Sequence, residues 1–183
     1  MGKLYDEITP ALADWVRQQH VFFVATAPLA RDGHVNCSPK GLDTLRILGS
    51  HEVAYLDLTG SGAETIAHLR ENGRIVLMFC ALNGPPKIVR FHGTGTCVTP
   101  GSSAWNTLRG QFPGHVGERA IVHVRVDRVS DSCGYGVPQY AYVADRDAMA
   151  RWAQTKGLEA LPAYRQEKNS RSIDGLPSVG APE

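Results

Sequence analysis

Between Val21 and Val129 the chain keeps returning to short runs rich in valine, isoleucine and phenylalanine, and it seldom leaves room for a helix between them. Val21–Ala27, a run opening at His34, His51–Leu58, Arg74–Leu82, Lys87–Val98 and Arg119–Val129 all have strand composition. Lys87–Val98 and Arg119–Val129 alternate apolar and polar residues, as a strand with one buried face requires. Arg74–Leu82 is continuously apolar and belongs near the centre of its sheet. Parallel strands need a crossover of about a dozen residues or more, usually a helix, after nearly every strand. Such crossovers are missing, so the chain is predicted to be mainly β with flanking helices, in a closed or partly closed antiparallel barrel. A further strand is predicted at Gln139–Val143.

The helices are few. Thr9 followed by Pro10 reads as an N-cap with proline at the first helical position, and Leu12, Trp15, Val16 and Gln19 follow at helical spacing. Short helices are predicted near Glu64–Glu71 and Ser102–Phe112, the second with Trp105, Leu108 and Phe112 on one face. A late helix starts at Asp145, carries Met149 and Trp152, and stops at Gly157. The tail from Asn169 reads as loop. The 183 residues fit one domain, with a helical and loop extension from about residue 145.

Charge removes several classes of function. Nineteen Lys and Arg against eighteen Asp and Glu leave a net charge of +1, too small to attract nucleic acid or an anionic membrane. The apolar runs are too short to span a bilayer, and no charged-then-apolar leader opens the chain. Cys37, Cys80, Cys97 and Cys133 are widely spaced, so a cytoplasmic protein with reduced thiols is expected. Seven scattered histidines form no H-x-x-x-H or H-E-x-x-H, and no G-x-S-x-G elbow occurs, so no metal site and no serine hydrolase is expected.

Two stretches carry chemistry. In N-C-S-P-K-G, Asn36 to Gly41, extended geometry places Asn36, Ser38 and Lys40 on one face with His34, and Val35, Cys37 and Pro39 on the other. The apolar face is expected to join a core. The polar face is either an ordinary solvated face or the wall of a ligand site. Pro39 lacks an N–H, which argues for an edge strand or a strand end. In D-L-T-G-S-G-A-E-T, Asp57 to Thr65, a strand gives way to a Gly-Ser loop and then a helix start. Backbone N–H groups and the helix dipole there form an anion site suited to phosphate; the alternative is a plain turn. A dinucleotide fingerprint fails, because Thr65 stands at the third glycine position and no ribose-binding acid follows about 20 residues on. Arg90, sharing a strand face with His92, Thr94 and Thr96, adds a third cationic element.

The order of V-F-F-V-A-T, G-H-V-N-C-S-P-K-G, A-Y-L-D-L-T-G-S-G, N-G-R-I-V-L-M-F and K-I-V-R-F-H-G-T-G, over about residues 5 to 130, resembles the pyridoxamine 5'-phosphate oxidase-like family of FMN-binding split β-barrels. S-C-G-Y-G-V-P from Ser132 resembles the FMN-binding members too. The resemblance implies FMN as cofactor, an oxidoreductase acting on a small-molecule electron donor or acceptor, and a homodimer with the flavin at the subunit interface. It implies that Lys40 reaches the flavin phosphate, that Asn36, Cys37 and Ser38 lie along the cofactor, and that Thr59, Ser61, Gly62 and Thr65 cradle the phosphate. It also implies that Asp57 and Leu58 meet the ring edge, that Arg90 matches the arginine of the following strand, and that Tyr135 contacts flavin and partner. It assigns no acid or base. Two departures stand out: Ala63, Glu64 and Thr65 replace the Ser-Arg-Lys run of true pyridoxamine phosphate oxidases, and their closing Arg-Leu-x-Pro is absent. The vitamin B6 reaction is therefore not expected. A non-catalytic flavin or haem carrier, and an F420-dependent reductase, are the alternatives on the same barrel.

Overall fold

The computed structural model describes residues 2–179. Eight strands form one antiparallel sheet: β1 (Leu4–Tyr5), β2 (Phe22–Thr26), β3 (Asn36–Lys40), β4 (Leu45–Gly49), β5 (Glu52–Leu58), β6 (Arg74–Cys80), β7 (Ile88–Val98) and β8 (Glu118–Ser132). They run in the order β3-β2-β6-β7-β8-β5-β4, with β1 added to the far end of β8. The sheet curls, but no ladder joins its two ends, so the barrel is split between β3 and the β4–β5 hairpin. The mainly β, partly closed antiparallel barrel predicted from the strand pattern is met, and with it the split barrel that the resemblance implies.

Which side chains turn inward follows from register. β2 places Phe22 and Val24 inside, β5 adds Val53 and Tyr55, and β6 and β7 add Leu77, Phe79, Val89 and Phe91. Phe22 meets Tyr55 edge-on at 5.7 Å and Phe79 meets Phe91 at 5.2 Å, separations at which aromatic pairs attract beyond their buried area. Each such side chain contributes about 1.5–3 kcal/mol through burial. Helix α1 (Pro10–Arg17) closes this core with Leu12, Ala13 and Val16. The Thr9 hydroxyl caps it by accepting from the Leu12 N–H. Gln19 lies beyond the helix, where its side chain donates to the Trp15 carbonyl at 2.8 Å.

A second, smaller core covers the other face of β5 and β8. Ala54, Leu56 and Ile121 pack there against Phe112, with Trp105 and Leu108 of α3 (Ser103–Arg109). β5 is therefore buried on both faces, and Asp57 at its end faces the same interior as Tyr55 and Val53. At Gly93, opposite an irregularity in the β7–β8 register, a Cβ would lie 2.0 Å from the Arg125 carbonyl oxygen, so only glycine fits.

Helix α2 (Glu64–Glu71) has its predicted bounds. The late helix α4 (Ala148–Lys156) begins after Asp147 and ends at Gly157, and α5 (Leu161–Lys168) follows a short 3-10 turn. The sequence did not predict β1, β4 or α5. It did predict a strand at Gln139–Val143, and this is corrected. Residues 138–147 form an irregular exposed arm, held by one main-chain bond from Tyr140 to the Leu82 carbonyl and by His20 stacked on Tyr142 at 3.6 Å. Among the described residues it pairs with no strand of the sheet. Among the described residues no helix is long and apolar enough to cross a membrane.

Candidate functional site

The split in the barrel is a cavity of about 400 Å³. β3 forms one wall, the end of β5 the other, and the loop Thr59–Ala63 with the start of α2 the floor. Eight of the twelve residues singled out from the sequence line it: Asn36, Ser38, Lys40, Asp57, Leu58, Ser61, Gly62 and Thr65.

The orientation of β3 corrects one expectation. Register pairs Lys40 with Phe22, Ser38 with Val24 and Asn36 with Thr26, and directly paired residues share a face. The polar residues therefore point to the interior side of the barrel, while Cys37 and Val35, expected to join a core, are exposed. Polar side chains on the inward face of an edge strand are not an ordinary solvated face. They are hydrogen-bonded: Asn36 Nδ2 donates across the split to Thr65 Oγ1 at 3.0 Å, and within β3 Ser38 Oγ donates to Asn36 Oδ1 at 3.1 Å.

Lys40 closes the other end of the wall. Its Nζ donates to Asp57 Oδ1 at 3.1 Å, while Arg119 Nε donates to Asp57 Oδ2 at 2.7 Å. Asp57 is 2% exposed and Arg119 5%. Burial alone would raise the Asp57 carboxyl, but the two cations, each bonded to one oxygen, hold it below its usual range. Arg119 also donates to the Gly62 carbonyl at 2.8 Å and to Asn169 Oδ1 at 2.9 Å. The Asp57 charge spreads further, pushing the nearby Cys97 thiol up to about 11, with burial as the larger cause.

The floor offers donors. Ala63 stands at the cap position of α2 and makes no side-chain cap bond, so the first N–H groups of the helix keep no capping oxygen. A methyl built on Gly60 would meet nothing within 4 Å, and one on Gly62 only Glu64 Oε1 at 3.8 Å, so both glycines border open space. The charged side chains lining the cavity are Lys40, Arg119, Asp57 and Glu64, two of each sign. An anion here would meet N–H dipoles and hydroxyls rather than net positive charge. Uncapped N–H groups with the hydroxyls of Ser38, Ser61 and Thr65 suit a phosphate.

Four predicted residues lie elsewhere. Cys37 is on the outer face of β3. Thr59 is buried behind the floor, donating through N and Oγ1 to the Gly117 carbonyl, both at 2.8 Å, and accepting from Arg165 Nε at 2.9 Å. Arg90 donates to Ser132 Oγ at 3.1 Å, and Tyr135 is 82% exposed. Sequence reasoning missed Arg119 and Asn169. A signal for Arg119 existed: it and Asp57 are charges inside otherwise apolar strands, and buried charges require partners.

A larger cavity of about 590 Å³ lies across the end of β3 and shares Pro39, Lys40, Gly41 and Leu42 with the first. Leu42 and Asp43 there have φ of 63° and 54°, the left-handed region that costs a non-glycine residue about 1–2 kcal/mol.

Residues 8–133 match the family described as pyridoxamine 5'-phosphate oxidase. The chain is 38% identical to "Pyridoxamine 5'-phosphate oxidase family protein ustO" of Aspergillus flavus, over 98% of this chain and 78% of that protein. Among solved structures it is similar to HupZ of Group A Streptococcus, with 23% identity and a TM-score of 0.51 over 74% of this chain and 99% of that one; this likeness is one of fold.

Proposed function

The chain belongs to the pyridoxamine 5'-phosphate oxidase family, and from that premise we propose that it binds FMN in the cavity between β3 and the Thr59–Thr65 floor and acts as an oxidoreductase on a small molecule. The observation that carries this reading is that two stretches far apart in sequence, Asn36–Lys40 and Asp57–Thr65, line one cavity together with an uncapped helix start. When bound, FMN supplies the hydride and electron transfer. The chain's own residues do the rest. The floor N–H groups, Ser61 and Thr65 hold the phosphate, Asn36 and Ser38 order the wall, and the Lys40–Asp57–Arg119 cluster fixes the opposite wall in place. No histidine lines this cavity among the described residues, which favours flavin over haem.

The reaction proposed is oxidation of a reduced nicotinamide or reduction of a small acceptor, and not oxidation of pyridoxamine phosphate. Glu64 stands where the family's loop carries cations, and its carboxylate accepts the Ile173 N–H at 3.1 Å. A phosphorylated second substrate would find no spare positive charge in the cavity. We further propose a homodimer in the cytoplasm. The exposed Tyr135, Tyr140 and Val143 supply an apolar surface for a second copy, and the four free cysteines suit a reducing compartment.

The purified protein should show flavin absorbance, and mass spectrometry should identify the released cofactor as FMN. A Soret band, F420, or a colourless protein that FMN does not saturate refutes the reading. Anaerobic NADH or NADPH should bleach the flavin and pyridoxamine phosphate should not. Bleaching by pyridoxamine phosphate restores the B6 assignment, and no bleaching by any of the three leaves a carrier.

A further inference from the structure

The loop Thr59–Ala63 faces the cavity on one side and the C-terminal segment on the other. Three of its carbonyl oxygens are claimed by side chains, two from the C-terminal segment and one from Arg119 at the cavity wall. Asn169 Nδ2 donates to Gly60 O at 3.1 Å, Arg119 Nη1 to Gly62 O at 2.8 Å, and Ser178 Oγ to Ala63 O at 2.9 Å. In a trans peptide the carbonyl and the next N–H point in opposite directions. Fixing these three carbonyls therefore aims the N–H groups of Ser61, Ala63 and Glu64 the other way. Among the described residues, the N–H groups of Ser61, Gly62 and Ala63 donate to no protein acceptor.

The segment that does this is an ordered hairpin. Ser172 donates its N–H to Leu176, Ser178 to Ser170 and Val179 to Asn169, and Arg171 bridges Pro177. Two anchors tie it to the barrel: Ile173 N–H to the Glu64 carboxylate, and His34 to the Asp174 carboxylate at 2.6 Å. Arg70 reaches the Ser178 carbonyl as well. Asn169 and Ser178 are fully buried, yet neither lines the cavity. The Asn169 amide spends both its ends on the floor, one directly on Gly60 and one through Arg119.

We propose that the hairpin Asn169–Val179 is the positioning element of the phosphate cradle, with Asn169 and Ser178 setting the preference for a phosphorylated flavin over an unphosphorylated one without touching either. This rests on the FMN reading above. It also accounts for a cradle that works without the family's loop cations: fixed dipoles substitute for charge only if the backbone that carries them is held still.

The test compares wild type with Asn169→Ala, which removes the donor to Gly60 and the acceptor for Arg119 without adding a charge, and with the milder Ser178→Ala. FMN and riboflavin are titrated into each flavin-free protein, and 15N order parameters are measured for Gly60–Ala63. The loss of one such hydrogen bond should weaken FMN by roughly five- to tenfold and riboflavin by less than about twofold. Order parameters in the loop should fall while those of β6 and β7 hold. Equal weakening of both ligands, no weakening of either, or an unchanged loop overturns the brace while leaving FMN binding intact. If Asn169→Ala fails to fold, Ser178→Ala decides by the same criteria. A wild-type protein that binds neither flavin refutes the FMN reading, and the phosphate preference with it.

Discussion

Replacing Asp57 by Asn tests the electrostatic centre of the site. Asn keeps an oxygen for Arg119 but turns an amide donor toward the Lys40 ammonium, and it leaves a 5%-exposed guanidinium without a counter-charge. Breaking a buried pair this way costs about 3–5 kcal/mol when nothing replaces the lost partner. The oxygen retained for Arg119, and the 23% exposure of the Lys40 side chain, bring the expected loss to roughly 2–3 kcal/mol, or about 4–12 °C in Tm for a chain of this size. The pH dependence has a definite sign. The folded Asp57 carboxyl lies below its unfolded value of 3.8, so the wild-type advantage is fully present above that value and fades as pH falls through the lower, folded one. The cavity charge also changes from a balance of two and two to a surplus of one positive, so the affinity ratio of FMN to riboflavin should rise. Thermal scans from about pH 7 down to about pH 3, read against titrations with both flavins, check each part. A Tm within about 2 °C of wild type at neutral pH, or a wild-type advantage that grows on acidification, refutes the reasoning.

Three other outcomes are expected. Gly62→Val should leave Tm nearly unchanged, within about 0.5 kcal/mol, because its Cβ enters open space, yet weaken FMN; isothermal titration measures the second effect. His34 should titrate above 6.5 because the Asp174 carboxylate accepts its ring N–H, and it should fall back in Asp174→Asn; NMR of the imidazole resolves it. The contact is therefore present below the free imidazole value and lost as pH rises through the raised one, so the Ile173 amide should exchange faster on the alkaline side. Cys97 should resist a thiol reagent at about pH 8 in the folded protein while exposed Cys37 labels, as peptide mass spectrometry would report.

The sequence announced some features because the physics behind them is local. Thr9-Pro10 capped a helix where it was expected, and Glu64–Glu71 came out whole, because caps and 3.6-residue spacing are written within a few residues. The cavity residues of β3 and the Gly-Ser floor were legible for the same reason, though which face of β3 turned inward was not. That depends on register with β2, and register is a property of two strands. Gln139–Val143 failed because strand composition makes a strand only where a ladder partner is taken up, and partnering is not written in the segment itself. β4 escaped because the left-handed positions of the turn before it fall on Leu42 and Asp43 rather than on the neighbouring Gly41, and leucine carries no such signal. Asn169 could not be found by pattern at all, since its partner Gly60 is over a hundred residues away.

β3 is laddered on one side only, to β2. Its other row of peptide groups lies along the opening, interrupted at Pro39, in the stretch whose side chains line the cavity. Main-chain atoms are the part of a binding wall that mutation does not rewrite. Substitutions along N-C-S-P-K-G can therefore change which ring substituents or electron partners are admitted while the wall keeps its grip on whatever flat molecule is laid against it. Under the proposed FMN reading, such a barrel is a scaffold on which substrate range can drift one side chain at a time.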